Sequence, residues 1–267
     1  SCDVYFYEVA RRLGIDRLSE TARAFGFGKP MVKGFFEERT GVVPNTKWKK
    51  QRIGKPWYLG ETLHSGIGQG YWQTSPLQLC LMTAQIANGG YEIEPRIIVG
   101  EEEEQDIASL EQFVEEQKRF SDDTGIISDI FKNFKYKTLF KNQENINFVK
   151  DAFFGATNEP GGTSYGSRLS GKEFMFAGKT GTSQVRKFTE RQRELEIKNE
   201  DLPYEQRDHA LFIAFAPYHD PRYSISVVVE HGGSGSKSAA PIAKKVLKKL
   251  LERHPLRETM HGKGESI

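Results

Sequence analysis

The sequence predicts an α+β fold: an antiparallel sheet with helices packed on it and a helical subdomain. Three observations predict it. Helical periodicity and helix punctuation dominate residues 1–100; two strand-like runs joined by a short turn occupy 211–230; and an amphipathic, lysine-rich stretch follows them. Helices first, strands later and a closing helix mark the α+β class rather than a strict β–α alternation.

In chain order, Val4, Phe6, Tyr7, Val9, Ala10 and Leu13 give residues 4–25 a helical reading, with Gly14 as a stop. A second helix starts from Ile15-Asp16-Arg17-Leu18-Ser19-Glu20 and closes at Gly26-Phe27-Gly28-Lys29-Pro30. Residues 31–74 read as loop-rich, with Pro44, Pro56 and several glycines. Ser75-Pro76 then opens a helix, serine at the N-cap and proline at the first helical position, where its missing N–H costs nothing. Leu77, Cys80, Leu81, Ala84 and Ala87 form one apolar stripe, which makes Cys80 a core thiol, and Asn88-Gly89-Gly90 ends the helix.

Residues 101–119 begin with four glutamates and stay acidic, as a solvated connector or insertion does. From Phe174 through Val185 the chain reads as a strand, and Leu211–Ala216 as a central strand covered on both faces. Tyr223–Glu230 pairs with the latter as an antiparallel hairpin across the turn Pro217–Arg222. In the terminal helix, Ile242, Val246, Leu247, Leu250 and Leu251 pack on the sheet, opposite Lys244, Lys245, Lys248 and Lys249.

Composition narrows the function classes. With 37% apolar residues, eighteen Phe and ten Tyr, the chain has the makings of a substantial core. A net charge of +2 with no basic stacking platform argues against a nucleic-acid partner. The cysteines, Cys2 and Cys80, form no disulfide framework and show no metal-site spacing. No run of eighteen apolar residues occurs, so no transmembrane helix is predicted in these residues.

Chemistry concentrates at Lys179-Thr180-Gly181-Thr182, placed inside a strand and preceded by Gly178. Glycine weakens a strand but lets a ligand approach its backbone. A lysine with two hydroxyls on that open stretch makes an anion site suited to a carboxylate. From these residues alone, a bulge with a solvated lysine is an equally open reading.

The surrounding text decides between them. Lys-Thr-Gly joins S-x-x-K and S-x-N in the signature of penicillin-binding proteins. Ser1-Cys2-Asp3 stands where S-x-N belongs, opening a helix far upstream. The run from Glu61 through Gly68-Gln69-Gly70-Tyr71 into Ser75-Pro76-Leu77-Gln78-Leu79, then Ala87-Asn88-Gly89-Gly90, resembles class B penicillin-binding proteins. Ser1–Tyr7, Gly161-Gly162-Thr163-Ser164-Tyr165-Gly166 and Arg207–Leu211 are similar to the elongation-type members of that class, penicillin-binding protein 2. The resemblance covers nearly the whole chain, apart from the acidic stretch and the 188–206 connector.

That resemblance implies a serine β-lactamase/transpeptidase-like fold and a peptidoglycan D,D-transpeptidase. A serine in S-x-x-K attacks a stem-peptide D-Ala carbonyl, and the amine of a second stem peptide resolves the acyl-enzyme. It implies Ser1 as a proton relay, Lys179 as the positive centre of the network, and Asp3, Lys179, Thr180, Gly181 and Thr182 as substrate-binding residues. The Thr182 N–H becomes one oxyanion donor, of a kind worth about 3–4 kcal/mol. β-Lactams, a glycosyltransferase and elongation-complex membrane proteins are the implied partners, and a periplasmic domain on an inner-membrane anchor the implied location. The chain opens on Ser1 and lacks the nucleophile segment, so it is expected to be inactive alone and to be the C-terminal part of one transpeptidase domain, 1–258. Within it, 1–100 is mostly helical, 101–147 is a variable acidic insertion and 148–258 holds the sheet and terminal helix, with 259–267 a tail.

Four departures matter. Asp3 stands where most of the family has Asn, and an ionised carboxylate accepts but does not donate. Cys2 is either a small buried residue or a ligand to a structural zinc of the intact protein, with its other ligands outside this chain; no other cofactor is implied. Ser234-Gly235-Ser236-Lys237 is the one S-x-x-K present, yet it follows Lys179-Thr180-Gly181 and reads as a helix start. His64 and His209 sit near family motifs and read as structural. A β-lactam sensor or a D,D-carboxypeptidase of the same fold is the alternative function.

Overall fold

Gly14, at φ 78°, separates two helices that would otherwise run on as one: α1 (Asp3–Leu13) and α2 (Ile15–Ala24). The computed structural model describes residues 2–32, 38–97, 137–140, 142–186 and 199–254. The acidic stretch 101–119, Ser1, the 259–267 tail and much of the 188–206 connector lie outside the described residues.

Residues 31–74 hold two helices that composition did not announce. In α3 (Thr46–Ile53) the Asn45 side chain accepts from Trp48 N–H at 2.7 Å, and Gly54 closes the helix at φ 75°. Next, α4 (Leu59–Gly66) starts with Tyr58 N–H donating to the Glu61 carboxylate at 2.8 Å, the returning half of a capping box. Neither helix shows a clean apolar period, because α3 buries Lys49 and α4 buries Thr62 and Ser65.

Ser75 caps α5 (Pro76–Ala87) as predicted, accepting from Gln78 N–H at 3.2 Å while Gln78 returns a bond to Ser75 N–H. The stripe differs from the sequence reading. Gln78, Thr83 and Gln85 are buried beside Leu81, Ile86 and Ala87, whereas Leu77 is exposed. The glutamines are tolerated because they bond to loop backbone: Gln78 Nε2 donates to Thr40 O at 2.9 Å, and Gln85 Nε2 to Phe25 O at 3.0 Å. Cys80 is half-buried rather than core, its Sγ 3.2 Å from Ser224 Oγ.

α6 (Gln143–Asn158) crosses the boundary that composition placed at 147/148. Three strands follow among the described residues, β1 (Ala177–Ser183), β2 (His209–Ala216) and β3 (Tyr223–Val229), antiparallel in the order β1-β2-β3. Phe174 lies in a turn, so β1 is shorter than predicted. Lys179 pairs with Ile213 and Thr182 with Ala210.

As predicted for a central strand, β2 is covered on both faces. Ala210, Phe212, Ala214 and Ala216 meet α7 (Ala240–Arg253) through Ala240, Ala243, Leu247 and Leu251. Phe215 packs the other way, with Ala87 of α5 and Phe153 and Phe154 of α6. The buried stripe of α7 runs through Ala240, Ala243, Leu247 and Leu251, so Ile242 and Val246 of the predicted stripe, each one residue before a buried position, stay exposed. None of the helices among the described residues is long and apolar enough to cross a membrane.

Candidate active site

The open edge of β1 defines the site. Along a strand, the N–H and C=O of one residue point to the same side and alternate with those of the next. Gly178 turns both groups away from β2, towards Thr157 of α6: its N–H donates to Thr157 Oγ1 at 3.1 Å, and the hydroxyl donates to Gly178 O at 3.3 Å. By the same alternation Thr180 and Thr182 present their N–H and C=O groups at this edge, while Lys179 and Gly181 bond to β2. Thr180 O accepts from Lys179 Nζ at 2.9 Å, and Thr182 O accepts from Gln69 Nε2 at 2.9 Å.

Glycines allow this close assembly. A Cβ on Gly178 would lie 2.5 Å from Phe212 Cζ and 2.7 Å from Ile213 O. A Cβ on Gly162 would lie 2.5 Å from Gly155 O, so only glycine lets the 160–164 turn rest on the end of α6. That turn delivers Thr163, whose Oγ1 accepts from Thr180 Oγ1 at 3.3 Å.

Lys179 is half-buried, and burial lowers its pKa from the usual lysine value, while the charge of Asp3 on α1 pulls it back up. The charge of Asp3 therefore acts on Lys179, 176 residues away in sequence and adjoined on β1 by Thr180, Gly181 and Thr182. Thr182 is exposed at the strand's end. Ser1 precedes this group outside the described residues. Cys2 is the exposed N-cap of α1 and makes no side-chain cap bond. Among the described residues no cluster of three His, Cys, Asp or Glu surrounds a metal position, so Cys2 has no co-ligands there and no step is derived through a metal.

The other candidates are structural or separate. His209 Nδ1 accepts from His231 N–H at 2.9 Å, and the Asp208 carboxylate accepts from Val185 N–H at 3.1 Å and Asn199 Nδ2 at 2.6 Å. His64 is exposed on α4. Ser234 Oγ meets Ser236 Oγ at 3.0 Å, whereas Lys237 pairs with Glu200 at 3.3 Å, so the late S-x-x-K forms no nucleophile–base pair. A cavity of about 710 Å³ lined by Phe25, Met31, Val32, Leu81 and Ile93 includes none of the β1 residues. Sequence reasoning gave no role to Thr157, and quoted Gln69 and Thr163 only as family text. For Thr157 no sequence signal exists.

The family described as penicillin binding protein transpeptidase domain matches residues 1–248. A "Peptidoglycan D,D-transpeptidase MrdA" of Salmonella typhimurium is 33% identical over 94% of this chain and 37% of its own length. The protein of the same name from Haemophilus influenzae is 34% identical over 95% and 35%. The chain thus spans just over a third of the length of these relatives. Among solved structures, penicillin-binding protein 2 of Helicobacter pylori in complex with MreC superimposes with a TM-score of 0.72 at 29% identity, over 95% of this chain and 39% of that one. The Pseudomonas aeruginosa protein in complex with WCK 5153 does so at 0.68 and 31% identity, over 93% and 47%.

Proposed function

The chain belongs to the penicillin-binding protein transpeptidase family, and on that premise we propose that it supplies the carboxylate- and oxyanion-binding side of a serine acyl-transfer site. The reaction is the cross-linking of peptidoglycan stem peptides in wall elongation, and β-lactams inhibit it. The observation that carries this reading is the open edge of β1, where the backbone groups of Thr180 and Thr182 face outward beside the half-buried ammonium of Lys179.

In this mechanism the donor stem peptide lies along β1. Its terminal carboxylate is held by Lys179 and the hydroxyls of Thr180 and Thr182, with Asp3 and Gly181 lining the same contact. Thr182 N–H donates to the carbonyl oxygen as it becomes an oxyanion. The serine of an S-x-x-K motif adds to that carbonyl, the C–N bond to the terminal D-Ala breaks, and Ser1 relays the serine's proton to the leaving amine. A second stem-peptide amine then attacks the ester, gives up a proton, and releases the serine hydroxyl. Lys179 keeps the network positive throughout.

The same reading places the domain in the periplasm, tethered to the inner membrane, with a glycosyltransferase and elongation-complex membrane proteins as partners. The Helicobacter pylori relative's complex with MreC supports it. Ser234 bonds to Ser236 and Lys237 to Glu200, which favours a nucleophile and base other than this pair. Fluorescent penicillin is the test: this chain should stay unlabelled, and the full-length protein should label and cross-link stem peptides. Labelling of the chain at Ser234 would overturn the assignment, and rapid drug release by the full-length protein would turn it to a hydrolase.

A further inference from the structure

The two sides of the site sit on different parts of the fold. Asp3 opens α1, whereas Lys179 and Thr182 belong to the sheet. One hydrogen bond between them is Gln69 Nε2 donating to Thr182 O at 2.9 Å.

That donor is held from behind. Gln69 N–H donates to His64 O at 3.0 Å and Gly68 N–H to Ser65 O at 3.0 Å, which folds the loop back onto the end of α4. Two residues on, Tyr71 OH donates to Glu61 Oε1 at 3.2 Å, and Glu61 is ion-paired with the buried Lys49, whose ammonium lies 4.6 Å from the Tyr58 ring centroid. α4 is in turn locked on α1, because a Cβ on Gly66 would lie 2.4 Å from Ala10 Cβ and 2.9 Å from Phe6 O. A continuous set of contacts therefore runs from Asp3 through α1 and α4 to Gln69, and ends on Thr182, the residue whose N–H is the oxyanion donor in the reading above.

We infer that Gln69 is a positioning residue for the acyl-transfer step: its amide fixes the Asp3 end of α1 against Lys179 and Thr182. The inference rests on the transpeptidase reading above. Its physical basis is that a displacement of about 1 Å between reacting groups costs on the order of a hundredfold in rate, while binding of the substrate carboxylate by Lys179 needs no such alignment. Gln69 thus governs the acylation rate more than the initial affinity for the drug.

Gln69→Ala and the isosteric Gln69→Glu in the full-length protein test this, with stopped-flow penicillin acylation split into initial affinity and acylation rate. Both should slow acylation at pH 8 by about tenfold or more, with initial affinity within threefold and Tm within about 2 °C of the parent. Relative to the parent, Gln69→Glu should recover as pH falls to about 4 and below, because a protonated carboxyl regains a donor for Thr182 O and an ionised one has none. Acylation within twofold of the parent for both variants overturns the inference. So does a slowing that tracks a falling Tm and ignores pH, which is plain structural support. If the parent itself takes up no penicillin, the transpeptidase reading fails instead.

Discussion

Thr157 satisfies both polar groups of Gly178 with one hydroxyl, accepting from its N–H at 3.1 Å and donating to its C=O at 3.3 Å, and both residues are buried. Water has no access to replace these bonds. Thr157→Val keeps the shape and orphans both groups, so it should destabilise the fold by about 2–3 kcal/mol. Thr157→Ser should retain most of the stability. Urea unfolding at constant m checks this, and a loss below about 0.5 kcal/mol for valine would remove the hydroxyl from the account.

Lys179 and Asp3 set a pH dependence whose sign follows from their opposed effects. Burial lowers the lysine pKa from 10.5, and Asp3 raises it. The unfolded chain therefore takes up the proton first as pH falls, so the native state loses stability from pH 10.5 down through the folded value and is best served above it. Asp3→Asn removes the raising influence and widens that window downwards. An NMR titration of isotopically methylated lysines should show Lys179 titrating below 10.5, and lower again in the variant. An upward move in Asp3→Asn contradicts the pairing.

Glu61 tests the brace behind Gln69. Burial pushes its carboxyl up, but the bonds from Lys49 and Tyr58 N–H outweigh this and hold it below the usual glutamate value. A lowered carboxyl pKa stabilises the fold above the unfolded value and loses that contribution as pH falls through the folded one. The two partners are unequal, the Lys49 side chain being 3% exposed and that of Glu61 23%. Glu61→Gln leaves a buried ammonium unpaired and should cost about 3–5 kcal/mol. Lys49→Met leaves a carboxylate that water reaches, and should cost less. Chemical denaturation of the two variants decides the order.

The particular residues explain what the sequence disclosed. The Ser75-Pro76 helix start and the β2–β3 hairpin were legible because capping chemistry and continuous apolar runs are local signals. Helices α3 and α4 were not, since they bury Lys49, Thr62 and Ser65 in place of an apolar stripe. In α1 the apolar residues marked a helix without marking which of them are buried. Val4 is 75% exposed, and Ala10 alone is buried, against Gly66. Asp3, Lys179, Thr180, Gly181 and Thr182 were found as motifs. Thr157 and Gln69 act on strand residues 21 and 113 positions away, and no local period encodes such contacts.

Gly235 separates a packing requirement from a chemical one in Ser234-Gly235-Ser236-Lys237. A Cβ at Gly235 would lie 2.5 Å from Leu211 O, 2.9 Å from Gly181 O and 3.2 Å from Gly181 N, all backbone atoms of the two strands that carry the site. Backbone in a paired strand has little room to give, so Gly235→Ala must lift the π-helical turn Gly235–Ala239 or bend β1 at Gly181. The expected cost is about 1–3 kcal/mol, with slower penicillin labelling of the full-length protein. Ser234→Ala removes only a contact to Ser236, and Lys237→Ala an exposed pair with Glu200, so labelling should continue at the parent rate in both. If Ser234→Ala abolished labelling while Gly235→Ala left it intact, the late S-x-x-K would be the chemical element and β1 its bystander. The opposite pattern makes Gly235 the floor under Gly181.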